Sequence, residues 1–126
     1  MIAGSVTHDE AEKLLERCIA SYNTGARTHD FSGFLALLTE DAVLEFEGVP
    51  ERGPISGKEA IAQHFEDDPP DDQLRVKRWK SEGAHILAEF SWTDIPESGG
   101  CLLIRARDSL AEHITIVLGG PRRAFR

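Results

Sequence analysis

From Phe34 to Glu59 the chain reads FLALLTEDAVLEFEGVPERGPISGKE, and no other stretch restricts the fold as much. It joins the end of one helix, a strand, a run of turn residues and the start of another helix. Ala42 to Glu47 alternates like a half-buried strand, with Leu44 and Phe46 on one face and Val43, Glu45 and Glu47 on the other. Gly48 to Ser56 contains two prolines and two glycines and reads as a loop. Ser56 and Glu59 have capping-box spacing, which predicts a short helix to about Glu66 with Ile61 and Phe65 facing the core.

Upstream, Thr7 and Glu10 form another capping box. The apolar residues Ala11, Leu14, Leu15, Cys18, Ile19 and Tyr22 then recur with helical period. Asn23 to Gly25 is expected to end that helix, because glycine accepts the left-handed conformation of a C-cap. A second helix is expected from Asp30 as N-cap to about Leu38, broken by Thr39, Glu40 and Asp41. The run Asp67-Asp68-Pro69-Pro70-Asp71-Asp72 reads as a solvated connection. Beyond it the period changes to that of strands. Leu74–Lys80 and His85–Thr93 flank a turn at Glu82-Gly83, Cys101–Arg107 follows, and a turn at Asp108–Glu112 leads into His113–Leu118. Gly119–Arg126 is a basic tail, expected to fray. Helices first and antiparallel strands after them predict an α+β fold, with three N-terminal helices on one face of a curved sheet.

A length of 126 residues suits one domain with a core spanning about residues 8–119. A net charge of −8 disfavours nucleic-acid backbones and anionic membrane surfaces. No apolar run approaches the ~20 residues that span a bilayer, and the N-terminus lacks the pattern of a signal peptide. Cys18 and Cys101 stand far apart without metal-ligand spacing, so two reduced thiols in a cytoplasmic protein are expected.

The order of elements, with YNTG (Tyr22–Gly25), FSGFLALLTEDAVLEF (Phe31–Phe46) and GKEAI (Gly57–Ile61), resembles the nuclear transport factor 2-like superfamily. Within it, the SnoaL-like and ketosteroid-isomerase-like branch is most similar. The resemblance implies a cone-shaped, cystatin-like α+β domain, often a homodimer, with a pocket between helices and sheet. It implies cofactor-free isomerase, cyclase, dehydratase or hydrolase chemistry, or a binding module without activity, since fold alone does not name a reaction. Ketosteroid isomerases use an Asp base with a Tyr and a protonated Asp as oxyanion donors. Matching the motifs places Cys18 at the Tyr position, Phe46 at the base and about Leu102 at the third position. All three polar groups are thus replaced, which argues against proton abstraction beside a carbonyl.

The expected ligand is a small apolar organic molecule, in a pocket lined by Cys18, Tyr22, Phe34, Phe46, Phe65, Trp92, Leu102 and Ile104. Glu45, Glu47 and His64 are the acid/base candidates. The plain alternatives are solvated carboxylates for the first two and an ordinary half-exposed histidine for the third. His29, His64, His85 and His113 have no metal-ligand spacing, so neither metal nor cofactor is expected. Arg75, Lys77, Arg78 and Lys80 form a basic strand, either an anion site or a solvated face offsetting the Asp67–Asp72 cluster.

Overall fold

The computed structural model describes residues 6–47 and 53–118. Helix α1 (His8–Thr28) is followed by α2 (Ser32–Leu35), strand β1 (Leu38–Glu47), the two-residue β2 (Ile55–Ser56) and α3 (Lys58–Asp67). Strands β3 (Leu74–Glu82), β4 (His85–Trp92), β5 (Gly99–Arg107) and β6 (Leu110–Leu118) complete the chain. One sheet in the order β2-β1-β6-β5-β4-β3 contains them all. Only the β1–β6 pair is parallel among the described strands, so the sheet is mixed; it is curved and unclosed, with the helices packed against it.

Thr7 caps α1 as expected, its side chain accepting from the Glu10 amide while the Glu10 carboxylate accepts from the Thr7 amide. The helix does not stop at Gly25. It continues to Thr28, and His29 takes the left-handed cap at φ 65°. Gly25 serves close packing instead, since a Cβ there would lie 2.3 Å from Cδ1 of Phe31. That ring stacks on Phe65 at 4.7 Å, so glycine lets α3 and the α1–α2 corner come together.

The second helix is also shorter than its pattern predicts. It ends at Leu35, and Leu38 to Asp41 belong to β1, where Leu38 pairs with Ala111 and the register shifts before Val43. Asp30 accepts from the Ser32 amide and hydroxyl in a local turn, whereas the N-cap itself is Phe31. No second capping box forms: Gly57 is the N-cap of α3, without a side-chain hydrogen bond. Its φ of 95° suits glycine, and its amide donates to the Ala42 carbonyl at 2.7 Å, fixing α3 on β1. The last turn is only Asp108-Ser109, both at positive φ, so β6 starts at Leu110 and not at His113. Residues 48–52 of the predicted loop and the tail 119–126 lie outside the described residues.

Strand alternation divides the sheet into two faces. Leu44, Phe46, Ile114, Ile116, Ile104, Leu102, Ile86, Ala88 and Phe90 share the inner face by register, under the helices. Buried residues of α1 and α3 (Leu14, Leu15, Cys18, Tyr22, Ile61 and Phe65) meet them in one core. Val43, Glu45, His113, Thr115, Val117, Cys101, Leu103 and Leu87 share the outer face.

Candidate functional site

Helical period carries Tyr22 one turn beyond Cys18 on the buried side of α1, and Phe65 occupies the buried side of α3. Tyr22 meets Phe31 and Phe34 edge-on at 6.0 and 5.9 Å, and Phe34 meets Phe65 edge-on at 5.7 Å. Tyr22 and Phe65, backed by Phe31 and Phe34, make one wall of a cleft at the open end of the cone. Strand ends make the other, with Phe46 from β1, Trp92 from β4, and Ile116 and Leu118 from β6. His64 and the segment Asp68-Pro69-Pro70-Asp71 close the rim. The cleft encloses about 370 Å³, near the lower end of small-molecule sites.

Four of the residues expected to line a pocket border this cleft: Tyr22, Phe46, Phe65 and Trp92. The other four lie in the packed core instead; Cys18, Phe34, Leu102 and Ile104 are all buried and off its surface. The size of those side chains and the crossing of α1 over the sheet fill the inner cone with atoms.

Of the acid/base candidates, His64 is the one at the cleft. Its ring lies 5.6 Å from Phe46 and 5.7 Å from Phe65. Glu45 and Glu47 point the other way, because the register shift of β1 precedes Val43 and leaves the alternation through Phe46 intact. Glu45 bonds Nε2 of His113 on the outer face, and Glu47 is exposed at the strand end. A cluster of three or more His, Cys, Asp or Glu able to hold a metal is absent among the described residues.

Among the described residues, the charged groups that border the cleft are Asp68, Asp71 and the imidazole of His64. Asp71 is exposed at the mouth. Behind it, Oδ1 of Asp72 accepts from the amides of Gln73 and Asp94 and from the Thr93 hydroxyl, which clamps β3 to the end of β4. Burial pushes the Tyr22 phenol up, and the charges of Asp72 and Asp71 push it further in the same direction. Burial alone pushes the Cys18 thiol up to about 12, leaving it protonated and inert as a nucleophile. Cys101 is raised by burial and by Glu89, against backbone hydrogen bonds that lower it.

The basic strand does not gather into an anion site. Arg78 pairs with Glu89 at 2.8 Å and Lys80 with Glu82 at 3.7 Å, so these charges meet carboxylates on β3 and β4. The acidic rim was the feature missed in the sequence. DDPPDD reads as a solvated connection, and only the path of the chain from α3 to β3 brings it against the aromatic wall.

Comparison with known proteins agrees with this architecture. The chain matches no curated protein sequence. Among solved structures, a nuclear transport factor 2-like protein from Anabaena variabilis superposes with TM-score 0.71 at 18% identity, covering 92% of this chain and 94% of that one. A protein of unknown function with a cystatin-like fold from Methylobium petroleophilum gives 0.69 at 15% identity, over 93% and 80%. An LEH-like epoxide hydrolase from M. tuberculosis gives 0.68 at 18% identity, over 88% and 84%. The family model of the SnoaL-like domain matches residues 19–111. That match extends from α1 to the start of β6, through every element that builds the cone, and the chain belongs to the SnoaL-like domain family.

Proposed function

We propose that the cleft binds a small, largely apolar organic molecule, and that any proton transfer in it runs through His64. The observation that carries this reading is the wall of Tyr22, Phe46, Phe65 and Trp92 around a ligand-sized space. Aromatic rings supply a large apolar contact area at little entropic cost, and a concave apolar site with a few polar groups is where a ligand gains most. His64 brings an imidazole, a side chain able to donate or accept a proton, to the edge of that space. With Phe46 at the position that the family resemblance gives to the base, ketosteroid-isomerase chemistry lacks its proton acceptor. Cofactor-free isomerase, cyclase, dehydratase or hydrolase chemistry remains the class the family suggests.

Phe46 and the buried, protonated Cys18 favour a second reading, a binding module without catalysis. The protomer is proposed to work as a homodimer. Two buried thiols, Cys18 and Cys101, fit a reducing compartment, and the cytoplasm is the setting adopted.

Ligand-observed NMR with a library of small aromatic and alicyclic compounds tests the binding. Hits are expected to lose most of their affinity in Trp92→Ala. An absence of hits, or hits indifferent to Trp92→Ala and Phe46→Ala, overturns the site. Confirmed ligands are then screened for turnover. Activity lost in His64→Ala supports the enzyme, activity that survives removes His64 from the mechanism, and binding without turnover establishes the binding module.

A further inference from the structure

We propose that the cleft selects organic cations: an amine with an aromatic or alicyclic body, its ammonium held at the mouth between Tyr22 and Asp71 and its body against Phe46, Phe65 and Trp92. This rests on the reading of the cleft as a small-molecule site and names the class of ligand.

Three independent features converge. The first is the composition of the rim. Asp68 and Asp71 border the cleft, and no lysine or arginine does so among the described residues. His64 on α3 is the one potential cation facing the mouth among those residues. Asp72 adds its charge from behind, where backbone amides and Thr93 hold the carboxylate in place.

The second feature is Tyr22. The residue is only 5% exposed, its hydroxyl makes no hydrogen bond to a described residue, and no buried polar side-chain atom among those residues is left unsatisfied, so the hydroxyl oxygen reaches the open space of the cleft. Here the side chain borders the cleft, so a bound molecule can satisfy the hydroxyl. The carboxylates of Asp71 and Asp72 act on this phenol, so a donor placed beside it lies in the same anionic field. An ammonium N–H donating to the Tyr22 oxygen meets both requirements at once.

The third is the wall itself. The faces of Trp, Tyr and Phe carry negative potential and attract a cation within ~6 Å, most strongly where water is excluded. A purely apolar ligand draws on the rings but not on the carboxylates. An anion is opposed by both, and by the net charge of −8 on the whole chain.

Isothermal titration of the full chain at pH 8, where imidazole in water is neutral, compares three probes of one shape: 2-phenylethylammonium, 2-phenylethanol and 3-phenylpropanoate. The ammonium is expected to bind about tenfold tighter than the alcohol, with the carboxylate weakest. Tyr22→Phe and Asp71→Asn are each expected to cost the ammonium about threefold in affinity and to cost the alcohol less than they cost the ammonium. Tyr22→Phe removes a group that bonds no described residue, so the variant keeps its fold. Equal binding of ammonium and alcohol overturns the cation selectivity while leaving the apolar site standing. Tightest binding by the carboxylate overturns the anionic mouth. Failure of all three probes counts against the proposal and the small-molecule site together.

Discussion

Burial on the inner side of α1 decides what Cys18 contributes. The thiol is 2% exposed and titrates at about 12, against 9.0 for a thiol in water. The folded chain therefore keeps a proton over a range in which the unfolded chain releases it. Stability from this group is complete below about pH 9 and declines as pH rises from 9 towards 12. Between pH 8 and pH 10 the loss comes to about 1 kcal/mol. Urea unfolding at the two pH values tests this in wild type and in Cys18→Ala, where the wild type is expected to lose about 1 kcal/mol more than the variant. Equal losses would mean that the thiol is not desolvated. Local signals at this scale were legible in advance. The helical stripe through Cys18 and the Thr7–Glu10 box involve neighbours within a turn or so, and both stand where the sequence puts them. Gly25 was not legible, because its reason is the ring of Phe31 folding back on α1, a contact that a cap pattern at the helix end imitates.

At the scale of elements, the mouth of the cleft depends on how α1 holds the sheet edge. Asn23 donates from Nδ2 to the Leu74 carbonyl at 2.9 Å and accepts from the Leu74 amide at 2.7 Å. It takes the place of a neighbouring strand at the first residue of β3, the edge strand of the sheet. Leu74 pairs with Trp92, so the same clamp places one wall of the cleft. Asn23→Ala leaves both backbone groups of Leu74 without their partner and is expected to cost about 2 kcal/mol. Faster amide exchange at Leu74 and a weakened ligand response at Trp92 should accompany the loss. Unchanged exchange at Leu74 would show that water replaces the clamp freely. The element boundaries that the sequence misplaced share a cause with this contact. Thr39-Glu40-Asp41 looks like a helix break because its polar residues carry no period. It becomes strand because Leu38 pairs with Ala111, more than seventy positions on, and because Asp41 meets Arg107 from β5 at 2.7 Å. The core faces of the later strands were legible, since alternation alone assigns them once one side is covered.

At the scale of the whole molecule, no helix among the described residues covers the outer face of the sheet, and the pattern of that face argues for a second copy. Register brings Leu87, Leu103 and Thr115 into one row and Cys101 and Val117 into the next, an apolar centre of half-buried and buried side chains. Charged pairs surround it: Arg78 with Glu89, Arg105 with Glu112, and His113 with Glu45. An apolar centre within a polar rim is the anatomy of a protein interface. The pairing of these charges within one protomer leaves the centre free to meet its own image across a twofold axis. This arrangement also accounts for Glu45, which strand alternation turns away from the cleft and towards the rim of this face. The protein is therefore expected to sediment as a homodimer at micromolar concentration. Leu103→Glu, which sets a carboxylate in the middle of the patch, should shift it to monomer while the far-ultraviolet circular dichroism stays unchanged. Wild type that sediments only as monomer at that concentration would refute the dimer and leave the cleft, on the opposite face of the sheet, to be judged on its ligands alone.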